Sequence, residues 1–179
     1  MVTPIAELVT RARRGDASAF DQLVRRHLRA AFAVALAVLG RPADADDLAQ
    51  DAFVIALERL ADCRDPARFS GWLLQIVRNR ALHALAKRKL RDPTDRVGEP
   101  VAAPMLGDIV LRERLLAALG ELPQIQREIV LLHDLDGWSH AELAGALDLS
   151  EVNCRQHLFS ARRALRASLA AEDIYGTGT

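Results

Sequence analysis

Three short tracts hold the side chains that could bind or react. The first is Asp44-Ala45-Asp46-Asp47-Leu48-Ala49-Gln50-Asp51. On a helix, Asp47, Gln50 and Asp51 share a face through i, i+3 and i+4 spacing. Acids in a first helical turn also meet the macrodipole favourably, which accounts for Asp44, Asp46 and Asp47. It does not account for Gln50 and Asp51, so this face reads as a partner surface. The second tract, residues 78–91, holds six Lys/Arg and no acid. Arg80, His83 and Lys87 share a helical face, as do Asn79, His83 and Lys87. Leu74, Val77, Ala81 and Leu85 take the opposite face. Such a basic face is either solvated or placed for phosphate contact, which is strongly salt-dependent. The third tract, residues 152–171, is also free of acids and holds Arg155, Arg162, Arg163 and Arg166.

Nucleophile and metal chemistry find little support. Cys63 and Cys154 are the only cysteines and form no C-x-x-C pair. His133, His140 and His157 lack ligand spacing with a second cysteine. No catalytic group, metal or cofactor is expected. Nothing beside Cys63 argues for an activated thiol.

Helices must position these tracts, because almost every apolar stretch has helical spacing and β-branched alternation is scarce. Phe20, Leu23, Val24, Leu28 and Ala31 form one stripe. Leu48, Phe53 with Ile55, and Leu57 with Leu60 predict a wide buried face on a helix over about 43–60. Asp16, after Gly15, is placed as an N-cap, and Gly40-Arg41-Pro42 ends the helix that Asp16 starts. Residues 62–70 read as a loop carrying Pro66, followed by a helix over about 71–90. Residues 91–110 hold Pro93, Gly98, Pro100, Pro104 and Gly107, and acids outnumber bases there. They read as a flexible linker.

Beyond the linker, one helix is expected over 111–119. Pro123 suits the first turn of the next, which runs to about 135. Ser139-His140-Ala141-Glu142 has the spacing of a capping box, and a short helix follows to about 146. Leu147-Asp148-Leu149 is a tight turn, and Ser150 caps a longer helix to about 170. Two helices joined by so short a turn make a helix-turn-helix, whose second helix normally enters the major groove. The expected fold class is therefore all-α. Two small helical domains, 1–90 and 111–171, are joined by the 91–110 linker and followed by a flexible polar tail, 172–179.

Composition agrees with a globular chain, at 50% hydrophobic and 27% charged residues. The formal net charge is zero over 179 residues. That zero is a cancellation. Residues 1–91 carry 16 Lys/Arg against 10 Asp/Glu, and residues 92–179 carry 8 against 14. The most apolar run, residues 30–39, is too short to span a bilayer. The N-terminus lacks the basic flank and apolar core of a signal peptide. A cytoplasmic chain without membrane attachment is expected.

The tracts also resemble a known family. Asp44 to Phe53 is similar to the D-A-E-D-L-x-Q-E/D-x-F motif of bacterial extracytoplasmic-function sigma factors, in the sigma-70 family. Phe69-Ser70-Gly71-Trp72-Leu73-Leu74-Gln75-Ile76-Val77-Arg78-Asn79 resembles their F-x-x-W-L-x-x-I-x-R-N segment. Gly15-Asp16-Ala17-Ser18-Ala19-Phe20, with Leu23-Val24-Arg25-Arg26-His27, looks like their opening helix. Leu122-Pro123, Arg127-Glu128, and Gly137 with Ser139, Glu142, Leu143 and Ala144 resemble the pattern of their C-terminal domain. The match runs in register along the chain, leaving out the linker and the tail.

The resemblance implies a dissociable subunit that binds core RNA polymerase and directs promoter-specific initiation, with no bond chemistry of its own. It assigns Asp47, Gln50 and Asp51 to the clamp helices of the β′ subunit, and a further contact to the β flap. Charge-assisted bonds to an Arg-rich partner suit those carboxylates. It assigns −10 element contact and melting to Arg78, Asn79, Arg80, His83, Lys87 and Arg88. A flipped base would be captured in the loop 61–70, and Phe69 and Trp72 would either stack on bases or pack the core. The helix-turn-helix would read the −35 element. The frame of the family's recognition helix holds at Ser150, Leu158, Ala161 and Arg162; Val152, Asn153, Gln156, His157 and Ser160 depart from it. Asn and Gln pair bidentately with adenine and Arg with guanine, so Asn153, Arg155, Gln156 and His157 are the base-reading candidates, with Arg162 beside them. The acidic linker fits a segment that threads polymerase channels, and an anti-sigma factor is an admissible partner. Small-molecule substrates and membranes are not expected. Two alternatives stand beside this: a helix-turn-helix regulator acting without polymerase, and a sigma-like protein that sequesters an anti-sigma factor. The first would not need the acidic helix or the tryptophan segment. The second would not need the basic DNA contacts.

Overall fold

Short polar side chains and two backbone breaks set the N-terminal helices. Asp16 Oδ1 accepts a hydrogen bond from the Ala19 N–H at 3.1 Å and so separates α1 (Ile5–Arg13) from α2 (Ala17–Leu39). Gly40 ends α2 at φ 70°, a left-handed conformation that costs glycine little. Pro42 then opens α3 (Pro42–Glu58), where its missing N–H would have been unpaired anyway. Two single 3-10 turns, Leu60–Asp62 and Pro66–Arg68, lead to α4 (Phe69–Arg91). The computed structural model describes residues 3–91 and 108–175; nearly all of the expected linker and residues 176–179 of the expected tail lie outside the described residues.

The C-terminal unit comprises α5 (Asp108–Glu121), α6 (Gln124–Val130), a π turn (Leu131–Leu135), α7 (His140–Leu147) and α8 (Glu151–Tyr175). The Ser139–Glu142 capping box forms, with the Ser139 N–H donating to Glu142 Oε2 at 2.8 Å and Ser139 Oγ accepting from the Glu142 N–H at 3.3 Å. Asp148 takes the left-handed conformation (φ 55°) in the turn, and Ser150 Oγ accepts from the Asn153 N–H at 3.1 Å to start α8. The helix then passes Ala170 and continues to Tyr175, where a frayed tail from 172 is expected from polarity. The residues at 169–172 are good helix formers, and the first glycine comes only at Gly176. No strand occurs among the described residues.

Alanine decides which faces turn inward. Ala45, Ala49, Ala52 and Ala56 of α3 are all 0% exposed, at a spacing that puts them on one helical face. Small side chains let α3 lie close against α2 and α4. The wide face predicted for α3 is therefore only partly buried. Phe53 and Leu60 are inside, Leu48 and Ile55 are half-buried, and Leu57 is 50% exposed. Leu28, predicted on the α2 stripe, likewise points outward, because His27 takes the inward position.

His27 is 4% exposed and fully bonded. Its Nδ1 lies 2.8 Å from the Leu23 carbonyl, which can only accept, so Nδ1 carries the proton. Nε2 then accepts from the Ser70 hydroxyl at 2.8 Å, and the Phe69 ring packs edge-on at 5.3 Å. Burial holds the imidazole pKa below its ordinary 6.5; the Leu23 hydrogen bond and Asp136 act in the opposite direction, and Arg26 adds to the lowering.

The two units do not stand apart. Ile129, Leu132, Leu143, Cys154 and Leu158 join Leu23, Phe69, Leu73 and Leu74 in one continuous apolar cluster. The contact is made by α6 and the π turn on α2, and by α7 on α4.

Three outcomes follow from this packing. Leu73→Ala, at a 0% exposed site, should lower the unfolding free energy in urea by about 2–5 kcal/mol. Leu90→Ala, at an 85% exposed site, should change it by no more than about 0.5 kcal/mol. His27 binds fewer protons folded than unfolded, so its contribution is intact above pH 6.5 and is lost as pH falls below that value. Denaturation curves should show stability falling from pH 7 toward 5, and His27→Leu should flatten that fall.

Candidate protein and nucleic-acid interfaces

The acidic face of α3 is open. Asp47, Gln50 and Asp51 are exposed, and Gln50 Nε2 donates to Asp46 Oδ2 at 3.1 Å. Val54 and Leu57, 58% and 50% exposed, extend the same face by helical spacing. The strip is thus acidic at one end and apolar at the other. Pattern reading assigns Leu57 to the core and so misses this half, because only the alanine stripe tells which way α3 is rotated.

The segment between α3 and α4 is fastened from a distance. Arg13 of α1 donates from Nε to the Leu60 carbonyl at 3.1 Å and from Nη2 to the Cys63 carbonyl. Asp65 Oδ1 accepts from the Ala67 N–H at 3.0 Å and caps the second 3-10 turn. The Cys63 thiol is buried, and burial raises its pKa, which keeps it protonated and unreactive. Cys154 is raised in the same way, by burial first and Glu151 second. Phe69 is 0% exposed, so it packs the core; Trp72, half-buried with its ring 5.9 Å away, is the more accessible aromatic.

On α4 the predicted contacts divide. Asn79, Arg80, His83 and Lys87 are exposed on one side, opposite buried Leu74, Val77 and Ala81. Arg88 is drawn inward, donating to the Leu39 carbonyl at 3.1 Å and pairing with Asp44 at 3.3 Å. Arg78 is also occupied, and by the other unit. Its Nε lies 3.1 Å from both Glu128 oxygens, and its Nη2 is 2.5 Å from Oε2. Gln75 Oε1 accepts from Arg78 Nη1 at 3.0 Å, and Gln124 Nε2 donates to Glu128 Oε1 at 2.9 Å. Glu128 is 1% exposed. The sequence marks it only through the family resemblance at Leu122-Pro123 and Arg127-Glu128, since its partner lies 50 residues away.

The recognition helix α8 turns Cys154, Leu158 and Ala161 inward and leaves Asn153, Arg155 and Gln156 exposed. His157 is half-buried. Arg162 is aimed by Asp134 of the π turn, with Nε donating to Oδ2 at 3.1 Å. Arg162, with a hydrogen bond from His133, holds the Asp134 carboxyl below the usual carboxylate range. A concavity of about 330 Å³ opens here, lined among others by His133, His140, Arg155, Phe159 and Arg163. Its chemistry suits an anion. Among the described residues no three His, Cys, Asp or Glu side chains converge as a metal site, and no helix is long and apolar enough to cross a membrane.

Residues 23–91 match the model of sigma-70 region 2, and residues 112–165 match that of sigma-70 region 4. The chain is 33% identical to the RNA polymerase sigma factor NccH of Alcaligenes xylosoxydans xylosoxydans, covering 93% of this chain and 95% of that one. It is also 33% identical to the probable RNA polymerase sigma factor RfaY of Xanthomonas campestris pv. campestris, of which it spans 45%. The solved structure of CnrH in complex with the cytosolic domain of CnrY superposes with a TM-score of 0.68 at 31% identity, over 93% of this chain and 97% of that one. The open acidic helix, the basic α4 and the helix-turn-helix therefore sit in a family frame that covers both units: the chain belongs to the extracytoplasmic-function group of the sigma-70 family of RNA polymerase sigma factors.

Proposed function

We propose that this sigma factor divides its work among three faces. The α3 strip, through Asp47, Gln50 and Asp51 with Val54 and Leu57, docks on the clamp helices of core polymerase. The α4 face contacts the −10 element through Asn79, Arg80, His83 and Lys87, with Arg78 and Arg88 joining when they are released from their carboxylate and carbonyl partners. The α8 face reads the −35 element through Asn153, Arg155, Gln156 and His157, while Asp134 aims Arg162 at the backbone. The loop 61–70, tied by Arg13, supplies the frame for a displaced base. The second unit also meets the β flap, and residues 91–110 link the two domains, 1–90 and 111–171. The observation that carries this reading is the presence of one open acidic face and two open basic faces on three different helices of one chain.

The reading places the protein in the bacterial cytoplasm, with polymerase and promoter DNA as its partners. Bond formation belongs to the polymerase, and this chain contributes binding and melting alone. An anti-sigma factor is a further partner; its chemistry is that of a segment able to cover a sigma factor, as the cytosolic domain of CnrY accompanies CnrH.

Core polymerase reconstituted with this protein should form open complexes on a pool of genomic promoter fragments. No open complex, with binding to an anti-sigma protein intact, would turn the reading to the sequestering alternative. Asp47→Arg combined with Gln50→Ala should weaken core binding by about tenfold or more in a titration, the loss of roughly 1.4 kcal/mol. Unchanged affinity removes the α3 assignment. In footprinting with the holoenzyme, Asn153→Ala should reduce discrimination at one −35 base pair by about 1–3 kcal/mol while leaving the others unchanged.

A further inference from the structure

The segment ahead of α4 has little regular structure of its own. Between Leu60 and Arg68 it makes two single 3-10 turns, and only Leu60 and Cys63 are buried. Turns of this kind have poor hydrogen-bond geometry and few core contacts, so they do not hold a fixed shape unaided. The fastening comes from α1, which packs along both turns. Arg13 donates from Nε to the Leu60 carbonyl at 3.1 Å and from Nη2 to the Cys63 carbonyl. The Leu60 carbonyl also accepts from the Cys63 N–H at 3.3 Å, so one guanidinium both closes the first turn and sets the spacing of its two carbonyls. A planar fork of donors suits that task better than an ammonium point charge. The helix that carries Arg13 is itself fixed to α2 at both ends. Arg26 Nη1 donates to the Thr3 carbonyl at 2.6 Å, and Arg11 donates from Nε and Nη2 to Asp16 Oδ2 at 2.9 and 2.7 Å. Between these ties Leu8 and Val9 are 0% exposed. The match to region 2 begins at residue 23, so this brace reaches the loop from outside the matched residues.

We propose that Arg13 is a positioning residue for −10 recognition: through the Leu60 and Cys63 carbonyls it holds the loop 61–70 in the shape that distinguishes one displaced base from another. The proposal rests on the reading of that loop as the frame for a displaced base. Arg13 itself touches no base. Recognition groups discriminate only when they are kept within about 0.5 Å of their places, and two 3-10 turns reach that precision only when tied from outside. Specificity is a difference of affinities, so a loosened loop still admits a base but admits the wrong ones nearly as well. The effect of losing Arg13 is therefore a loss of preference at one −10 position, with the other contacts of the protein left in place.

Two substitutions test this. Arg13→Met keeps the length and apolar stem of the side chain and removes its donors; the residue is exposed, so no core cavity results. Arg14→Met removes an equal charge from the adjacent exposed position and serves as the control. Amide hydrogen exchange of the full-length chain, without polymerase or DNA, reads the loop directly. In Arg13→Met the segment 60–65 should exchange about tenfold faster than in the parent, while the buried parts of α2, α3 and α4 keep their protection. Holoenzymes of the three proteins are then compared on a fork-junction fragment cut from a promoter that the parent opens. Its −10 non-template strand is left single-stranded, and each −10 base is replaced in turn. The parent and Arg14→Met should share one pattern of base preference. Arg13→Met should lose about tenfold of the preference at a single −10 position, as expected for misplaced recognition groups, with core affinity and the −35 footprint unchanged. Unchanged exchange or unchanged base preference in Arg13→Met would overturn the proposal. So would a loss spread evenly over the −10 bases, extended to core affinity or the −35 footprint, or shared by Arg14→Met. A parent that opens promoters with no base preference at −10 strikes the underlying reading of the loop instead, and the exchange result, which involves no DNA, tells the two failures apart.

Discussion

A guanidinium on α4 and a carboxylate on α6 meet with almost no water around them, and the register of the two units follows from that pair. Arg78 and Glu128 each spend further bonds on Gln75 and Gln124, so both charges are satisfied. Pairs of this kind add little net stability, because desolvation cancels most of the attraction. Losing one partner is costly, however, so the pair dictates which surfaces of the two units can face each other. Gly71 against Ala146 and Arg29 against Leu135 and Asp136 lie along the seam that it aligns. The cleft between α7 and the loop ahead of α4 is a product of the same alignment.

Small side chains make that approach possible. The alanine face of α3 brings the backbones of the N-terminal unit close, and Gly71 does the same between units. Close packing through alanine also has an outward consequence. With Ala45, Ala49, Ala52 and Ala56 inside, the larger Val54 and Leu57 are rotated to the surface beside Asp47, Gln50 and Asp51. An exposed apolar and acidic strip on a rigid helix is a ready docking surface. The geometry of a core made of the smallest side chains thus creates the surface proposed for polymerase docking.

Charge is arranged by the same logic. The chain is neutral as a whole, but its basic side chains gather on α4 and α8 and its acids on α3. Several of the bases are held by acids in the structure: Arg78 by Glu128, Arg88 by Asp44, Arg155 by Glu151 and Arg162 by Asp134. The exposed pairs of Arg155 and Arg162 aim side chains and contribute little energy. The buried one ties α4 to α6. A neutral total is therefore compatible with two basic surfaces, because the acids pair with the bases locally.

Much of this was legible from local chemistry. Helix type follows from apolar spacing, and the Asp16, Ser139 and Ser150 caps each form where a short polar side chain precedes an apolar run. The outward set on α4, Asn79, Arg80, His83 and Lys87, follows from the buried set opposite, because a helix fixes both at once. The family frame was legible too, since its motifs are runs of neighbouring residues. Helix rotation was not: the pattern offers α3 two apolar stripes, one of leucines and one of alanines, and only packing against α2 and α4 selects the second. Nor were the partners of Arg13, Arg29 and Arg78, which lie 47, 106 and 50 residues away. The sequence by itself determined the helices, their caps and the charge that each carries, because those depend on residues within a turn or two. Tertiary structure alone decided that Arg78 faces Glu128, that Leu57 faces water and that α7 stands on Gly71, because contacts between distant segments depend on how whole helices pack.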